Sequence, residues 1–456
     1  MTMKIIKNIV VLVLGILALE IQAQTNLSVA EKELAVNKIL NRIKLPGIPD
    51  ATFNIKAFGA VADGKTDCIP AIDAAIKKAD EQGGGKIIFP AGNWFCKGPI
   101  HLDNNIHLHL DEGAVVMFSD DAKDYLPLQL VRWEGVEIYN YSSYIYAFGK
   151  NNIAITGKGK FNGNAGEIRK WRPKQKPAQN QLRQMGREQV PVKERVFGEG
   201  HFLRFSFIQL MDCENILIDG ITIENVPFWV MHPTYCKSIT IKNVTVNSPH
   251  INNDGIDFDS CEDALVEDCV FTCGDDAIVI KSGRDQDAWR VDKPSRNIVI
   301  RNCLAPEVLH GLAFGSEMSG GVENIYIDNF YMKKVKQYAI QFKANRDRGG
   351  YIRNVFIDGV FIDEARTAVF FTNDYHGYSG GNYPSEFHQI EIRNAVVNRT
   401  NGRAIDIQGL AEKPIHHITL ENITVLAEGE NSSAINTSNC KAANVSVGGE
   451  VFGFGE

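Results

Sequence analysis

Three aspartates stand where two consecutive strand-like segments meet loops, in Asn252-Asn253-Asp254 and Gly274-Asp275-Asp276. Asp254 and Asp275 are 21 residues apart (275 minus 254), about one coil of a repeating β structure. Because neighbouring strands stack about 4.8 Å apart, residues one coil apart lie side by side on one face. Like charges raise one another's pKa, so one carboxylic acid of such a cluster stays protonated while its neighbours act as bases. The spacing therefore predicts acid–base cleavage of a glycosidic bond.

Other interpretations of these carboxylates remain open at this point. Adjacent aspartates at a turn also occur by chance, so the evidence lies in their combination on two coils. Carboxylate oxygens can hold Ca²⁺, but the regular one-three-five acidic spacing of a calcium loop is missing. Asp257 and Asp259 alternate with Ile256 and Phe258, and we expect these two aspartates to point outward into solvent.

The elements that position these residues are short strands that repeat along the chain. A motif of alternating β-branched residues, a central Asn, Asp or Gly and a second apolar run starts at residues 215, 238, 264, 297, 324, 354, 389 and 417. Period-2 alternation excludes a helical repeat, and the lack of long amphipathic helices between the strands excludes a βα solenoid or barrel. A β-propeller is the alternative, but its blades have four strands per roughly 40 to 45 residues. The repeat therefore predicts an all-β chain folded as a parallel β-helix, a solenoid.

The polar residue at the centre of each repeat predicts a tight corner between two strands. Asn, Asp and Gly adopt the left-handed backbone conformation at the lowest cost. The predicted corners are Asn243, Asp268, Asn302, Asn329, Gly359, Asn394 and Asn422.

An open end of a solenoid exposes strand edges, so we expect a cover on the first coil. Thr66 and Asp67 are potential N-caps of a helix that ends at Gly83-Gly84-Gly85. The stripe that this helix would bury consists of Ile69, Ile72, Ile76 and Ala79. The pattern predicts an N-terminal capping helix.

The N-terminus is typical of a secretory signal peptide, because Lys4 and Lys7 precede an apolar run at 9–19 and Ala23 offers a cleavage site. The run is too short for stable membrane insertion, since a hydrocarbon core of about 30 Å takes around 20 residues. We expect residues 1–23 to be the signal peptide, 24–49 a peripheral leader and 50–456 one β-helix domain. The mature protein is expected to be periplasmic or extracellular.

Composition excludes several classes of function. The 456 residues include 48 basic and 55 acidic side chains, and the formal net charge of −7 disfavours a nucleic-acid partner bound through its phosphates. The nine cysteines form no CxxC pair, which indicates neither a zinc site nor a complete disulfide framework. We expect most of them to be small buried apolar residues.

Residues 165–205, called the basic segment below, differ from the rest of the chain in charge. They hold ten basic and four acidic side chains, a net charge of +6. One interpretation is a solvated surface loop. The other is a wall or lid that draws an anionic substrate toward a cleft, with Trp171 as a stacking surface for a sugar.

Four ordered motifs resemble those of glycoside hydrolase family 28, the polygalacturonase family. They are Asn252-Asn253-Asp254, Gly274-Asp275-Asp276, His310-Gly311 and Gln341-Phe342-Lys343, beside the family's Asn-Thr-Asp, Gly-Asp-Asp, Gly-His-Gly and Arg-Ile-Lys. The likeness covers roughly residues 50–430. It implies a right-handed, single-stranded parallel β-helix and inverting hydrolysis of α-linked galacturonate in pectin.

The resemblance also implies roles for residues at matching positions. Asp275 would be the general acid that protonates the leaving oxygen, and Asp254 and Asp276 would activate the attacking water. No metal and no cofactor is implied. The residues implied to contact the substrate are Asn252, His310, Gln341, Lys343 and Tyr375.

The most consequential departure from the family is Gln341, which stands where an arginine is expected. Glutamine cannot supply the charged fork that grips a carboxylate. Either Arg346, Arg348 or the basic segment takes over this contact, or the neighbouring sugar is not an acid. The second case would suit a rhamnogalacturonan backbone. Asn253 and Leu309 are smaller departures, in place of Thr and Gly.

The expected partner is a pectic polysaccharide or an oligogalacturonide, which is the substrate. We expect the protein to be a monomer. The basic segment and the residues between Asp275 and His310 could block one end of the groove, which favours cleavage from a chain end. Two rival functions are a Ca²⁺-dependent eliminase similar to pectate lyase and a non-catalytic polysaccharide-binding solenoid. A pure binder has no need for three clustered aspartates.

Overall fold

The structure is a computed structural model that describes residues 28–455, so the predicted signal peptide at 1–23 lies outside the described residues. Within 28–455, no helix is both long and apolar enough to cross a membrane. The α-helices of this range are α1 (Val29–Arg42), α2 (Ile69–Asp80), α3 (Gly166–Arg169), α4 (Lys176–Arg187) and α5 (Asp285–Val291). The 3₁₀ helices are Ile55–Phe58, Ala122–Tyr125 and Val192–Glu194.

Short strands make up most of the rest. They are β1 (Thr52–Asn54), β2 (Asp63–Asp67), β3 (Gly85–Phe89), β4 (Gly92–Cys96), β5 (Ile100–His101), β6 (Ile106–Leu110), β7 (Ala114–Phe118), β8 (Gln129–Trp133), β9 (Val136–Asn140), β10 (Ile145–Phe148), β11 (Asn151–Gly157), β12 (Lys160–Asn162), β13 (Ile208–Met211), β14 (Glu214–Asp219), β15 (Thr222–Glu224), β16 (Lys237–Lys242), β17 (Thr245–Ser248), β18 (Ile256–Asp259), β19 (Glu262–Glu267), β20 (Val270–Cys273), β21 (Asp276–Lys281), β22 (Ser295–Val308), β23 (His310–Gly315), β24 (Val322–Lys343), β25 (Tyr351–Thr372), β26 (Glu386–Thr400), β27 (Ile405–Gln408), β28 (Ile415–Val425), β29 (Ser433–Ile435), β30 (Thr437–Ser438), β31 (Lys441–Val447) and β32 (Glu450–Val451).

The strands stack in parallel from coil to coil and confirm the predicted all-β, right-handed, single-stranded parallel β-helix with an N-terminal capping helix. One sheet runs through β14, β16, β19 and β22, and a second through β15, β17 and β20. The third sheet, which carries the candidate site, contains β18, β21, β23 and the last residues of β24. Apolar residues alternate along each strand and fill the interior of the coils, because successive side chains of a strand point to opposite faces.

The corners between strands have the predicted left-handed conformation. Asn243 and Asp268 have φ of 53° and 54°, and Gly359 has a φ of 68°. The other predicted corners, Asn302, Asn329, Asn394 and Asn422, have φ between 51° and 55°. Their side chains also bond between coils: Asn329 Nδ2 donates to Asn302 Oδ1 at 2.9 Å. These hydrogen bonds give partners to side-chain amide groups of the corner asparagines that would otherwise have none within the protein.

Helix α2 is the predicted cover of the first coil. It buries Ile72, Ala75, Ile76 and Ala79, and it contacts β1, β3, β5 and β6. The Oδ1 atom of Asp67 accepts the backbone N–H of Ile69 at 3.0 Å, which satisfies one N–H of the first helical turn. The helix thus covers apolar side chains that the first strands leave exposed.

The chain divides into two compact units at Lys38–Ile39. In the first unit, Ser28 starts helix α1 in a reciprocal arrangement: its N–H donates to Glu31 Oε2 at 2.8 Å, and its Oγ accepts the Glu31 N–H at 3.3 Å. The second unit contains all the strands and the candidate site.

The nine cysteines, all within the described residues, form no disulfide, and eight of them are buried. This agrees with the expectation that they are small apolar residues of the interior. Burial raises the pKa of the Cys96 thiol well above its usual value, so it stays protonated.

Candidate active site

A cavity of about 440 Å³ lies over the outer face of the third sheet. Side chains from the sheet, from the basic segment and from the loop at 375–377 line it. The lining residues are Glu134, Arg172, Pro173, Gln175, Lys176, Gln179, Arg183, Trp229, Asn252, Asp254, Asp275, Asp276, Lys281, Arg284, Ser316, Glu317, Lys343, Arg348, Tyr375, His376 and Gly377.

The register of the third sheet brings the three predicted aspartates together. Strands β18 and β21 pair with Ile256 opposite Ile278, an offset of 22 residues (278 minus 256), so Asp254 lies beside Asp276. The N–H of Gly255 donates to the carbonyl of Asp276 at 2.9 Å and fixes this alignment. All three carboxyl groups line the same cavity.

Asp275 is held by Asn252, the first residue of the neighbouring coil's motif. The Nδ2 atom of Asn252 donates to Asp275 Oδ2 at 3.1 Å, and its Oδ1 accepts from Arg204 Nη2 at 2.7 Å. Asn252 has a φ of 62°, a conformation that asparagine tolerates better than most residues. Burial and the charge of Asp276 raise the pKa of Asp275 to about 6. A carboxyl group with this pKa can donate a proton at mildly acidic pH.

Asp276 is in the opposite electrostatic situation. Its carboxylate forms a buried ion pair with Lys343, with 3.1 Å between Oδ2 and Nζ. Burial acts to raise the pKa of Asp276, but Lys343 and His310 outweigh it and hold the pKa below its usual value. The pKa values of two adjacent carboxyl groups are thus shifted in opposite directions, which is the condition for one to donate a proton while the other accepts one.

His310 lies beside this pair. One side-chain nitrogen of His310 and one oxygen each of Asp275 and Asp276 lie within 4.8 Å of one another. Burial lowers the pKa of His310 to about 4, so the ring is neutral above that pH. Since Nδ1 accepts the backbone N–H of Tyr338 at 3.4 Å, the proton of the neutral ring is on Nε2. The ring stacks on Tyr338, with 5.3 Å between centroids.

Lys281 was not predicted, yet it is central to the site. Its Nζ lies 3.7 Å from Asp254, 3.2 Å from Asp257 and 3.5 Å from Glu317, and 3.9 Å from the centre of the Trp229 ring. Burial, Asp257 and Asp275 nevertheless raise the pKa of Asp254 well above its usual value. Burial raises the pKa of Asp257 to about 8, although Lys281 opposes the shift. Asp254 and Asp257 therefore hold a proton between them near neutral pH.

The expectation that Asp257 and Asp259 are solvated is wrong. Both point away from the coil interior, but both are 0% exposed. The antiparallel hairpin of β8 and β9 covers this face, and Arg132 of β8 approaches Asp259 to 2.9 Å. Asp257 is paired with Lys281. Each buried carboxylate thus has a cation, which is the usual condition for its burial.

Of the five predicted substrate contacts, Asn252, Lys343 and Tyr375 line the cavity, whereas His310 and Gln341 do not. Gln341 is 0% exposed and does not line the cavity, and neither its Oε1 nor its Nε2 has a hydrogen-bond partner among the described residues. Tyr375 does line the cavity, and its ring centre lies 5.8 Å from Lys343 Nζ. Of the suggested replacements for the missing arginine, Arg348 lines the cavity, whereas Arg346 does not.

The basic segment is folded and contributes one wall of the cavity. It contains helices α3 and α4, and its residues Arg172, Lys176 and Arg183 line the cavity. Arg195 and Arg204 are buried and structural, so the segment is not simply a solvated loop. Trp171 packs on Tyr141, Phe202 and Phe205 and does not line the cavity.

Several cavity residues escaped the sequence analysis. Trp229 lies one coil before Asp254, and Lys281 follows Gly274-Asp275-Asp276 on the same strand. The alternation Ala277, Val279, Lys281 places Lys281 on the outer face, a signal that could have been used. Glu134, Arg284 and Glu317 lie in loops or turns without any repeat. No pattern in the sequence indicates that these three meet at the site.

The sequence profile of the glycosyl hydrolases family 28 matches residues 199–447. That range contains every residue of the four motifs. The profile of rhamnogalacturonase A/epimerase, pectate lyase-like, matches residues 52–113, which lie in the first coils.

Individual proteins agree with the profile. The structure of a hyperthermoactive exopolygalacturonase from Thermotoga maritima has 35% identity and a TM-score of 0.85, and the match covers 90% of this chain and 96% of that one. A probable polygalacturonase from Vitis vinifera is 27% identical over 416 residues, 88% of this chain and 79% of its own length. An exo-poly-alpha-D-galacturonosidase from Dickeya chrysanthemi is 26% identical over 406 residues, 80% of this chain and 65% of its own length.

Proposed function

From the premise that the chain belongs to the glycosyl hydrolases family 28 and is a pectin-degrading glycosidase, we propose that it is an exported exopolygalacturonase. It releases galacturonate from one end of α-linked galacturonate chains by inverting hydrolysis. The observation that carries the proposal is the cavity in which Asp254, Asp275 and Asp276 converge, with different protonation states, beside a basic wall.

Asp275 acts as the general acid in this proposal. Its raised pKa keeps a proton available, and Asn252 orients the carboxyl group toward the leaving glycosidic oxygen. Proton donation to that oxygen removes the need for an alkoxide leaving group. The neutral His310 lies beside the two carboxyl groups and contributes no competing charge.

Asp276 is the base that takes the proton of the attacking water. Its pairing with Lys343 keeps it ionised at the pH where Asp275 is still protonated. Asp254 lines the same cavity and acts with Asp276 by binding the water. In an inverting enzyme the water attacks the face of the sugar opposite the leaving group, and no covalent intermediate forms.

Cleavage from a chain end is supported by the basic segment and by relatives. Arg172, Gln175 and Lys176 of the basic segment line the same cavity as the carboxyl groups, and in this proposal they close the groove to a continuous polymer. The names of the Thermotoga maritima and Dickeya chrysanthemi relatives both specify exo activity. Export is supported by the signal-like sequence at 1–23.

A rhamnogalacturonan hydrolase is the second candidate, because Gln341 replaces the arginine expected next to a galacturonate. Digestion of polygalacturonate and of rhamnogalacturonan oligomers side by side, with products sized over time, distinguishes the candidates. We expect monomeric galacturonate from polygalacturonate from the first time point. Mid-sized fragments would overturn the exo assignment, cleavage confined to rhamnogalacturonan would favour the second candidate, and unsaturated product ends would overturn hydrolysis itself.

A further inference from the structure

The lysine and arginine side chains that line the cavity differ in whether they already form an ion pair with an acidic residue of the protein. Seven lysine and arginine side chains line the cavity, and five of these are bonded to acidic residues of the protein. The five pairs are Arg183 with Glu134, Lys281 with Asp257, Arg284 with Glu317, Lys343 with Asp276 and Arg348 with Asp285. These cations neutralise charges of the protein and are not free for a charged ligand.

The two remaining cations are Arg172 and Lys176, and both belong to the basic segment. Neither side chain has a hydrogen bond or an ion pair with any residue of the described range 28–455. Both side chains are exposed and reach the cavity, which also contains Asp254 and Asp275. An unpaired arginine and lysine together offer a planar fork and a point charge, which suits a carboxylate.

The basic segment is tied to the carboxyl groups by a buried chain of hydrogen bonds. Arg204 donates from Nε to Gln175 Oε1 at 3.0 Å and from Nη2 to Asn252 Oδ1 at 2.7 Å. Asn252 in turn donates to Asp275 at 3.1 Å. Gln175 is adjacent to Lys176 in the chain, so the backbone that carries Lys176 is tied to Asp275. Such preorganisation reduces the entropy lost when a ligand binds.

We propose that Arg172 and Lys176 bind the carboxylate of the galacturonate unit that lies against the wall of the cavity formed by the basic segment. This inference rests on the proposed function and extends it by assigning the discrimination between acidic and neutral sugars. It also explains how the chain functions with Gln341 in place of an arginine, since the charge that is missing from the sheet is supplied by the basic segment.

The test is the double variant Arg172→Gln with Lys176→Gln, compared with Lys174→Gln and Lys193→Gln. The control pair removes the same charge from exposed positions of the same segment that do not line the cavity. With trigalacturonate as substrate, we expect kcat/KM of the cavity variant to fall about 10- to 100-fold, as for the loss of hydrogen bonds to a charged group. We expect the control variant to stay within about twofold of the unmodified protein, the range of surface changes.

Inhibition by sugars provides a second readout that a folding defect would not reproduce. We expect the inhibition constant of free galacturonate to rise about 10-fold or more in the cavity variant, and that of its neutral methyl ester to stay unchanged. Equal losses for the acid and the ester, or a cavity variant no worse than the control, would overturn the inference. If the unmodified protein cleaves no galacturonate chain, the proposed function fails; if it does and only the variants are indifferent, this inference alone fails.

Discussion

The cations of the sheet and the cations of the basic segment do different work in the same cavity. Lys281 and Lys343 project from sheet strands, their side chains are 5% and 8% exposed, and both are paired with aspartates. Arg172 and Lys176 come from an insertion between strands, and they are exposed and unpaired. The comparison teaches that the buried cations of the β-helix shift the pKa values of the aspartates beside them, whereas the exposed cations of the basic segment are the ones that we infer to bind the substrate.

The largest effect is expected on the catalytic rate, when the carboxylate paired with Lys343 is removed. We expect Asp276→Asn to lower kcat on trigalacturonate by about 10³-fold, because the proton of the attacking water loses its acceptor. Asp212→Asn is a matched control, since Asp212 is exposed and outside the cavity, and we expect it to change nothing. Steady-state kinetics of both variants is the measurement. Comparable rates for the two variants would show that Asp276 is not the base.

The second-largest effect is expected on the free energy of unfolding, which should depend on a lysine of the sheet but not on a lysine of the basic segment. We expect Lys281→Met to lower the free energy of unfolding by about 3 kcal/mol, because it leaves buried carboxylates without their cation. We expect Lys176→Met to change it by less than about 0.5 kcal/mol, because that side chain is exposed and unpaired. Urea unfolding of the two variants makes the comparison. Equal changes in the free energy of unfolding would mean that burial and ion pairing of a lysine do not determine how much it contributes to stability.

The pH profile sharpens the distinction further. Because the acid form of Asp275 is required, kcat should fall about tenfold per pH unit above the pKa of about 6. The loss at low pH should begin only below the usual aspartate pKa, because Lys343 holds the pKa of Asp276 down. Arg172→Gln should keep both limbs at the same pH while lowering kcat/KM. If either limb of the pH profile shifted in this variant, the basic segment would influence the pKa values of the catalytic aspartates.

The smallest effect is expected from removal of metal ions. Asp275, Asp276 and His310 come within 4.8 Å of one another and could hold a cation, but the proposed steps use only protons and water. We expect a chelator to change the rate on polygalacturonate by less than about twofold. Loss of activity, with recovery on adding Ca²⁺, would instead support an eliminase that uses a metal.

The parts of the fold that repeat were predictable from the sequence, and the parts that meet through long-range contacts were not. Alternating strands and corner asparagines are local features, so the β-helix, the convergence of the three aspartates and helix α2 followed from spacing, although the register places Asp254 beside Asp276 and not beside Asp275 as the 21-residue spacing suggested. The burial of Asp259 depends on Arg132, which is 127 residues away (259 minus 132) in a hairpin with no repeat. The complete burial of Gln341 in an otherwise matching motif likewise has no local signal.

The central claim is that Asp275 donates a proton to the leaving oxygen, and one comparison tests it directly. The rate of Asp275→Asn would be measured on trigalacturonate and on an aryl α-galacturonide whose phenolate leaves without protonation. We predict a loss of about 10²- to 10⁴-fold on trigalacturonate and less than about tenfold on the aryl substrate. Equal losses on both substrates, or no loss on either, would contradict the assignment.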